Sequence, residues 1–448
     1  MQHFFNPKSI AVIGASRDEG KLGHIIFKNF FENGFKRLYP INPNADEILG
    51  IKCYKSVLEV KDNIDLAVIA VPAKIVSQVL TECVKKKVNS VVIISSGFSE
   101  IGEEGKRMEE ELKGIISKNK TRVIGPNCIG IYDAYSKVDT LFLSKERCGR
   151  PKKGNISFIS QSGAVGSTVL DVFYNMDIGI SKFVSYGNGI DITETELLEF
   201  LGKDKSTKVI LAYLEGLKKD GRIFLEKVKK IKKPIIVLKS GKSDKGSKAV
   251  SSHTGSLAGE SKIYSSAFKQ FGIIEANSWE ELLDYSIAFS TQPVPRGNRI
   301  VIITDGGGFG ILATDEAERL GLLLPEPSEK LKRSLAKTMP TYASLHNPID
   351  LTGDATAERY KIALKECLSS KEYDGAIVIC LFQVPTVEEK VVDYIIECKK
   401  FRKPIIVCSV GSDFTETQNK KLMANNIPVY PTPERAVRAF HALVRFYK

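Results

Sequence analysis

Histidine is scarce in this sequence, and one of its five histidines lies in an unusual segment. His253 stands in Ser-Ser-His-Thr-Gly-Ser-Leu-Ala-Gly, residues 251–259, where small and hydroxylated neighbours leave room for a bulky adduct. An imidazole in such a place can be a nucleophile that carries a phosphoryl group, an acid or base, or a ligand. No second histidine or cysteine is near in sequence, so we expect no metal site. The alternative is a loop histidine that makes only a local hydrogen bond.

Two further groups follow apolar runs and are suited to assist such a histidine. Ser-Gln-Ser-Gly at residues 160–163 follows one predicted strand and opens a helix, so backbone N–H groups at Ser162 and Gly163 can stabilise an anion. Glu215 directly follows another apolar run, and α/β sheets place ligands at the carboxyl ends of their strands. A carboxylate there can hold an imidazole N–H and select which nitrogen reacts. The alternative is a solvated carboxylate at a strand end.

The glycine turn near the N-terminus predicts a separate phosphate site. Gly-Ala-Ser at residues 14–16 and Gly-Lys-Leu-Gly at residues 20–23 lie between a strand and a helix, where small residues let a phosphate approach backbone N–H groups. The dinucleotide pattern G-x-G-x-x-G fails, because Ser16 and Glu19 take its second and third glycine places. The next strand end, residues 39–43, lacks the acidic residue that binds a ribose hydroxyl, which disfavours NAD. The alternative is a turn that only packs the helix on the strand.

These groups need alternating strands and helices to position them, and the sequence supplies that pattern in three cycles. Short Val/Ile-rich runs, turns with glycine or proline, and longer amphipathic segments recur from residues 9, 155 and 298. Such alternation predicts parallel sheets covered on both faces by helices. The predicted strands are residues 9–13, 37–41, 66–71, 90–95, 121–124, 156–160, 182–185, 209–214, 234–239, 299–304, 375–381 and 404–410.

The second and third cycles share three segments in the same order, which predicts duplicated α/β domains. At roughly 150 residues a domain, 448 residues also favour three domains. Linkers rich in proline, glycine and charge at 148–154 and 291–297 place the domains at 1–148, 149–293 and 294–448. The paired segments are 154–163 with 297–306, 190–193 with 349–352, and 233–237 with 403–407.

Composition excludes several classes of protein. Hydrophobic residues make up 43% and charged residues 26%, as in globular proteins, and no apolar run approaches the roughly 20 residues of a membrane span. The net charge of +12 is spread as short lysine clusters beside helices and turns, so we expect neither nucleic acid nor a membrane as partner. The N-terminus lacks a signal-peptide pattern, and none of the eight cysteines forms a C-x-x-C pair. A reducing, cytoplasmic location fits best.

Together these motifs resemble the α subunit of the ADP-forming acyl-CoA (acetyl-CoA) synthetases, in the succinyl-CoA synthetase superfamily, over essentially the whole chain. The two motifs most specific to this family are Ser-Ser-His-Thr-Gly at 251–255 and Gly-Pro-Asn-Cys-Ile-Gly at 125–130. The glycine turn alone is only weak evidence for the resemblance. The resemblance implies a Rossmann-like CoA-binding domain followed by two flavodoxin-like, doubly wound parallel-sheet domains. The other motifs are Gly14-Ala15-Ser16, Val71-Pro72-Ala73, Ser95-Ser96-Gly97-Phe98 and Ser160-Gln161-Ser162-Gly163.

The resemblance implies the reaction acyl-CoA + ADP + phosphate ⇌ carboxylic acid + CoA + ATP. Phosphate would attack the thioester to give an acyl phosphate, and His253 would take the phosphoryl group and pass it to ADP. Ser162 and Gly163 would neutralise the phosphoryl charge, and Glu215 would orient His253. The implied CoA-binding residues are Gly14, Ser16, Lys21 and Gly23 at the phosphates, and Asn42, Pro72, Gly97 and Asn127 along the pantetheine and nucleotide path.

The family also uses an ATP-grasp module that binds ADP or ATP and magnesium, and three α/β domains within 448 residues leave no room for it. We therefore expect a separate ATP-grasp β subunit in a hetero-oligomer, for example α2β2, and no ATP synthesis by this chain alone. One alternative is a non-catalytic regulator that binds CoA or acyl-CoA, although a sensor needs no nucleophile such as His253. The other is a dehydrogenase, against which the missing acidic residue argues.

Overall fold

The computed structural model describes the backbone of residues 1–254 and 261–447, with the side chains of residues 1–250 and 261–447. The helices of this part are α1 (Gln2–Phe5), α2 (Leu22–Glu32), α3 (Ala73–Lys85), α4 (Glu103–Ser117), α5 (Gly163–Asn175), α6 (Glu194–Lys203), α7 (Gly221–Val228), α8 (Asp244–Thr254), α9 (Ser261–Gln270), α10 (Trp279–Thr291), α11 (Gly307–Arg319), α12 (Glu329–Ala336), α13 (Ala357–Ser369), α14 (Lys390–Glu397), α15 (Asp413–Ala424) and α16 (Pro433–Tyr447). None of these helices combines the length and apolar character needed to cross a bilayer.

The strands are short, and most are buried runs of Val, Ile and Ala, as expected for sheets covered on both faces. They are β1 (Ile10–Ile13), β2 (Leu38–Ile41), β3 (Glu47–Ile48), β4 (Ile51–Lys52), β5 (Leu66–Ile69), β6 (Ser90–Ile93), β7 (Arg122–Ile124), β8 (Ile131–Asp133), β9 (Lys153–Ser160), β10 (Ile180–Ser185), β11 (Val209–Leu214), β12 (Ile235–Lys239), β13 (Ile274–Ala276), β14 (Ile300–Thr304), β15 (Ile349–Asp350), β16 (Gly375–Ile379), β17 (Ile405–Cys408) and β18 (Val429–Tyr430).

Three sheets follow the same winding rule. Their strand orders are β2-β1-β5-β6-β7, β13-β12-β11-β9-β10-β8 and β15-β14-β16-β17-β18. In each sheet the first strand of the cycle lies between the second and the third, which is the doubly wound order 2-1-3-4-5. The direction of winding therefore reverses between β1 and β5, between β9 and β11, and between β14 and β16. The predicted fold class is confirmed, and the carboxyl ends beside these reversals are the places where such folds bind ligands.

The chain forms two compact units, Met1–Asn277 with the first two sheets and a second unit from Ser278 onward with the third. In the first unit one hydrophobic core runs through both sheets, and the Phe5 ring stacks on Phe200 with ring centroids 5.0 Å apart. Arg122, on β7, donates to both carboxylate oxygens of Asp191, each at 2.9 Å. The first two sheets are thus held together by apolar packing and by a bidentate ion pair. The division into three domains stays a prediction.

The strands that the sequence does not predict are very short. Four of them, β8, β13, β15 and β18, lie at sheet edges and have two or three residues, too few for a recognisable hydrophobic period. The β3–β4 hairpin is equally short. Strand β8 lies within residues 1–148 but pairs antiparallel with β10, so the second sheet includes a strand that precedes residue 149.

A buried lysine anchors β8 to the second sheet. Lys182, on β10, is the register partner of Asp133, on β8. The Lys182 ammonium lies 3.4 Å from the Asp133 carboxylate and 3.1 Å from that of Asp204, and its side chain is 7% exposed. The buried Asp133 and the partly buried Asp204 need a cation, because an unpaired buried charge is costly.

We predict that Lys182→Met lowers the free energy of unfolding of the first unit by about 3 kcal/mol, since it leaves Asp133 and Asp204 without their shared cation. The matched control is Lys203→Met, because Lys203 forms an exposed pair with Glu199 four residues away. That loss should stay within about 0.5 kcal/mol. Urea denaturation followed by far-ultraviolet circular dichroism measures both, and equal effects of the two substitutions would contradict the buried-anchor role.

Candidate functional site

The turn after β1 is built on two glycines that admit no side chain. Gly14 has φ +91°, and a Cβ there would lie 2.3 Å from the Ala70 carbonyl oxygen, on the chain leaving β5. A Cβ on Gly23 would lie 1.9 Å from the Gly14 carbonyl oxygen. Both residues are therefore required for α2 to pack on the β1 turn, and both also line a cavity. The packing role that the sequence left as an alternative is therefore present, and the ligand role of Gly14 and Gly23 stays a prediction.

Ser16 and Asn42 shape that turn from outside the cavity lining. The Ser16 hydroxyl accepts a hydrogen bond from the Asp18 N–H at 3.0 Å. The Asn42 amide donates to the Ala15 carbonyl at 2.7 Å and so ties the end of β2 to the turn after β1. Lys21, the N-cap of α2, is exposed and lines the cavity. The assignment of all these residues to CoA stays a prediction.

A cavity of about 780 Å³ lies within the first unit and is lined from both of its sheets. This volume is in the range of small-molecule and cofactor sites. The first sheet contributes its strand-end turns, and the second contributes the turn between β9 and α5. Of the predicted site residues, the cavity is lined by Gly14, Lys21, Gly23, Pro72, Asn127, Ser162 and Gly163, whereas Ser16, Asn42, Gly97 and Glu215 are not part of its lining.

The N-terminus of α5 faces this cavity. The Ser162 hydroxyl caps the helix by accepting a hydrogen bond from the Val165 N–H at 3.4 Å. At Gly163 a Cβ would lie 2.8 Å from the Ile129 side chain, so glycine keeps the turn close to the segment after β7. The first N–H groups of a helix lack intrahelical partners and carry the positive end of its dipole. This helix end can therefore stabilise an anion in the cavity.

Glu215 lies at the end of β11, beside the reversal between β9 and β11. It is 5% exposed, which differs from the solvated carboxylate that the sequence left as an alternative. Its backbone N–H donates to the Gln161 side-chain oxygen at 2.8 Å. Burial lowers the pKa of the nearby Lys239 ammonium, and the Glu215 carboxylate opposes that shift. Glu215 is thus a buried acid among buried polar groups, one strand away from the α5 turn.

The side chain of His253 lies outside the described residues. Its backbone belongs to the last turn of α8 and not to a loop. Helix α8 follows β12, the neighbour of the Glu215 strand, and packs near the 3-10 turn Ser99–Ile101 in the loop after β6. That Glu215 orients His253 therefore stays a prediction.

An asparagine that the sequence analysis missed joins the two sheets at this cavity. The Asn188 amide donates to Glu100 at 2.8 Å and to Glu109 at 2.9 Å, and its oxygen accepts from Asn127 at 3.3 Å. Burial opposes ionisation of Glu100, but hydrogen bonds from Asn188 and from backbone N–H groups, including that of Gly97, hold its pKa below the usual value. Asn188 lies in Tyr-Gly-Asn-Gly at residues 186–189, directly after β10. The two glycines that flank it are the sequence feature that could have identified this turn as part of the site.

Gln161 is a second residue that the sequence did not single out, although it lies in the Ser-Gln-Ser-Gly motif at residues 160–163. It lines the cavity beside Ser162 and bonds the chain after β11. Among the described residues, no group of three or more His, Cys, Asp and Glu side chains is arranged to hold a metal ion.

The third sheet has a turn of the same kind, but it carries an acid. Asp305 follows β14, is 3% exposed, and accepts from the Leu381 N–H at 3.1 and 3.0 Å. Burial raises the pKa of Asp305 to about 6, and the charge of Asp350 acts in the same direction. The Asp350 carboxylate would contact a Cβ on Gly307 at 2.8 Å, so it lies against the start of α11. This turn therefore places carboxylates where the α5 turn leaves room for a ligand.

Three family models match successive parts of the chain. Residues 8–134 match a CoA binding domain, residues 153–289 match a succinyl-CoA ligase like flavodoxin domain, and residues 300–447 match a ligase-CoA domain. The order is that of the three sheets.

Whole-chain comparisons agree with the family models. The α subunit of ADP-forming acetate–CoA ligase II from Pyrococcus furiosus is 43% identical over 99% of this chain and 97% of its own length. The ADP-forming acetate–CoA ligase of Methanocaldococcus jannaschii is 45% identical over the whole chain, which spans 63% of that protein. A structure of the Candidatus Korarchaeum cryptofilum dinucleotide forming acetyl-coenzyme A synthetase 1, in complex with phosphate and ADP, superposes with a TM-score of 0.93 at 40% identity, covering 99% of this chain and 96% of that chain.

We predict a pH-dependent gain of stability for Asp305→Asn. The pKa of Asp305 in the folded chain, about 6, exceeds the roughly 3.9 of an unfolded aspartate, so ionisation costs stability as the pH rises from about 4 to about 6. The variant should melt at a higher temperature than the parent at pH 8 and at the same temperature at pH 4.

Trp279, the only tryptophan, begins α10 in the same compact unit as Asp305. Its fluorescence can therefore report the melting temperatures of the parent and the variant. The control is Asp315→Asn on the exposed face of α11, which should shift neither midpoint. A gain of equal size at both pH values would contradict the assignment.

Proposed function

The chain belongs to the family of ADP-forming acetate–CoA ligase α subunits, and on that premise we propose that it performs the thioester and phosphohistidine steps of the reaction acyl-CoA + ADP + phosphate ⇌ carboxylic acid + CoA + ATP. A phosphate oxygen attacks the thioester carbonyl, the carbon–sulfur bond breaks, and CoA leaves. A His253 nitrogen then attacks the phosphorus of the acyl phosphate, and the carboxylate leaves. The phosphohistidine finally transfers its phosphoryl group to ADP.

The observation that carries the proposal is the cavity shared by the two sheets of the first unit. One wall holds the β1 glycine turn with Lys21, which suits the phosphates of CoA. The lining also includes the N-terminus of α5 at Ser162 and Gly163, which suits a phosphoryl group. Pro72 and Asn127 also line this cavity, and we assign them to the pantetheine chain. A thioester and a phosphate can thus meet in one cavity.

Glu215 supports the phosphohistidine step. A buried carboxylate at the end of β11 can accept the N–H of one imidazole nitrogen, which leaves the other nitrogen free to attack phosphorus. The charge of such a carboxylate also stabilises the imidazole as it gains a phosphoryl group. A phosphorus–nitrogen bond has a high transfer potential, so the energy of the thioester is retained for ATP formation.

The nucleotide step requires a partner subunit. The Pyrococcus furiosus relatives are named as α subunits, and the Methanocaldococcus jannaschii relative is longer than this chain, which spans 63% of it. We assign ADP, ATP and magnesium to an ATP-grasp β subunit that forms a hetero-oligomer with this chain. The phosphohistidine then carries the phosphoryl group between the two subunits.

We predict that His253→Ala abolishes covalent phosphorylation. The chain is co-expressed with its ATP-grasp partner, and the purified complex is incubated with [γ-32P]ATP. The parent chain should acquire an acid-labile label, and the variant should lose at least about 99% of it because it lacks the imidazole nitrogen that accepts the phosphoryl group. The control is His346→Ala, which removes an exposed histidine that pairs with Glu326 and should keep the full label.

Label that persists in the His253→Ala chain would contradict the phosphohistidine step. CoA binding without any acyl transfer by the intact complex would favour the regulatory alternative. An absorbance change that depends on a nicotinamide cofactor would favour the dehydrogenase.

We predict that Lys21→Ala raises the KM for CoA about tenfold and leaves kcat and the KM for phosphate unchanged, because a charged hydrogen bond to a CoA phosphate is lost. Lys21 is exposed, so folding should not depend on it. Lys28→Ala is the matched control, since Lys28 is exposed on the same helix and lies 3.9 Å from Glu32. Steady-state kinetics of the co-expressed complex measure these constants, and an unchanged KM for CoA would remove the β1 turn from the CoA site.

A further inference from the structure

Among the described residues, hydrogen bonds hold the Gln161 side chain at its oxygen end. It is 5% exposed, and its Oε1 atom accepts hydrogen bonds from the Glu215 N–H at 2.8 Å, the Gly216 N–H at 3.3 Å and the Tyr186 hydroxyl at 3.5 Å. Three donors converge on one atom, so that atom must be the amide oxygen and the opposite atom the nitrogen. The orientation of the amide is therefore set by the chain after β11.

The Nε2 atom of Gln161 is buried and has no hydrogen-bond partner within the described part of the chain. Buried amide groups in native proteins are almost always paired, so an unpaired donor needs an explanation. Gln161 lines the cavity and directly precedes Ser162, the N-cap of α5. A ligand at that helix end would supply the missing acceptor.

We propose that Gln161 positions the phosphate substrate by donating its Nε2–H to a phosphate oxygen at the N-terminus of α5. This inference rests on the proposed function and deepens it, because it names the donor that distinguishes the phosphate site from the CoA site. The free N–H groups at the start of α5 and the unpaired Nε2 of Gln161 are all hydrogen-bond donors. An ionised phosphate, whose oxygens all accept, is complementary to these donors.

The arrangement also links the phosphate to Glu215. The same amide that donates to the ligand accepts from the Glu215 backbone, so a bound phosphate and the start of the Glu215 segment are held at opposite ends of one rigid planar group. Gln161 is accordingly a positioning residue for two participants in the proposed phosphoryl transfer.

Two substitutions test this role in the co-expressed complex. Gln161→Glu keeps an oxygen for the Glu215 and Gly216 N–H groups but turns a second carboxylate oxygen, with negative charge, toward the phosphate. We expect the KM for phosphate to rise at least thirtyfold and the KM for CoA to stay within twofold. Gln161→Met is neutral and lacks the donor, and it should raise the KM for phosphate about tenfold. If the Glu variant does not fold, the KM for phosphate of the Met variant alone tests the positioning role.

The matched control is Asn175→Asp, which adds the same charge at the exposed far end of α5 and should change neither constant. An unchanged KM for phosphate in both Gln161 variants, or an equal rise in both KM values, would overturn the positioning role. Either result leaves the proposed function intact as long as His253 is phosphorylated. Absence of ATP formation by the parent complex from acyl-CoA, ADP and phosphate would instead overturn the proposed function.

Discussion

The candidate site depends on a fixed junction between two parallel sheets. Neither sheet alone encloses the cavity, because one wall comes from strand ends of the first sheet and the other from the turn before α5. The junction is held by a shared apolar core and by Asp191, which accepts from the Arg122 guanidinium and from the Val123 N–H at 2.8 Å.

The fold could be predicted from the sequence because the pattern that specifies it is local and occurs three times. Buried Val/Ile runs followed by glycine turns identify the central strands, and the doubly wound class and the family resemblance are both confirmed. Edge strands such as β15 and β18 have too few residues to show a period, and they form because a neighbouring strand offers unpaired backbone groups. The matching Ile-Asp-hydrophobic-Thr segments at residues 190–193 and 349–352 have different roles. Asp191 accepts hydrogen bonds from Arg122, whereas Asp350 accepts one from the Thr352 N–H.

The residues of the candidate site could be predicted only where the residue type by itself indicates a structural role. Gly14 and Gly23 could be identified because no other residue fits a tight turn, and the cavity lining includes both. The amides of Gln161 and Asn188 could not be identified from the sequence, because their partners lie far away along the chain. Gln161 bonds Glu215, and Asn188 bonds Glu109. An amide acquires its role from the groups that folding brings to each of its ends, and a sequence pattern does not contain that information.

Strand β8 has a consequence for how this molecule can be divided in evolution. Residues that precede the β9 cycle complete the second sheet at its β10 edge, so a gene break placed between the two cycles would strip that edge of its cover. An uncovered strand edge invites pairing with foreign chains. Gene fission or domain shuffling is therefore better tolerated outside Met1–Asn277 than within it, and the first two cycles are expected to be inherited as one module.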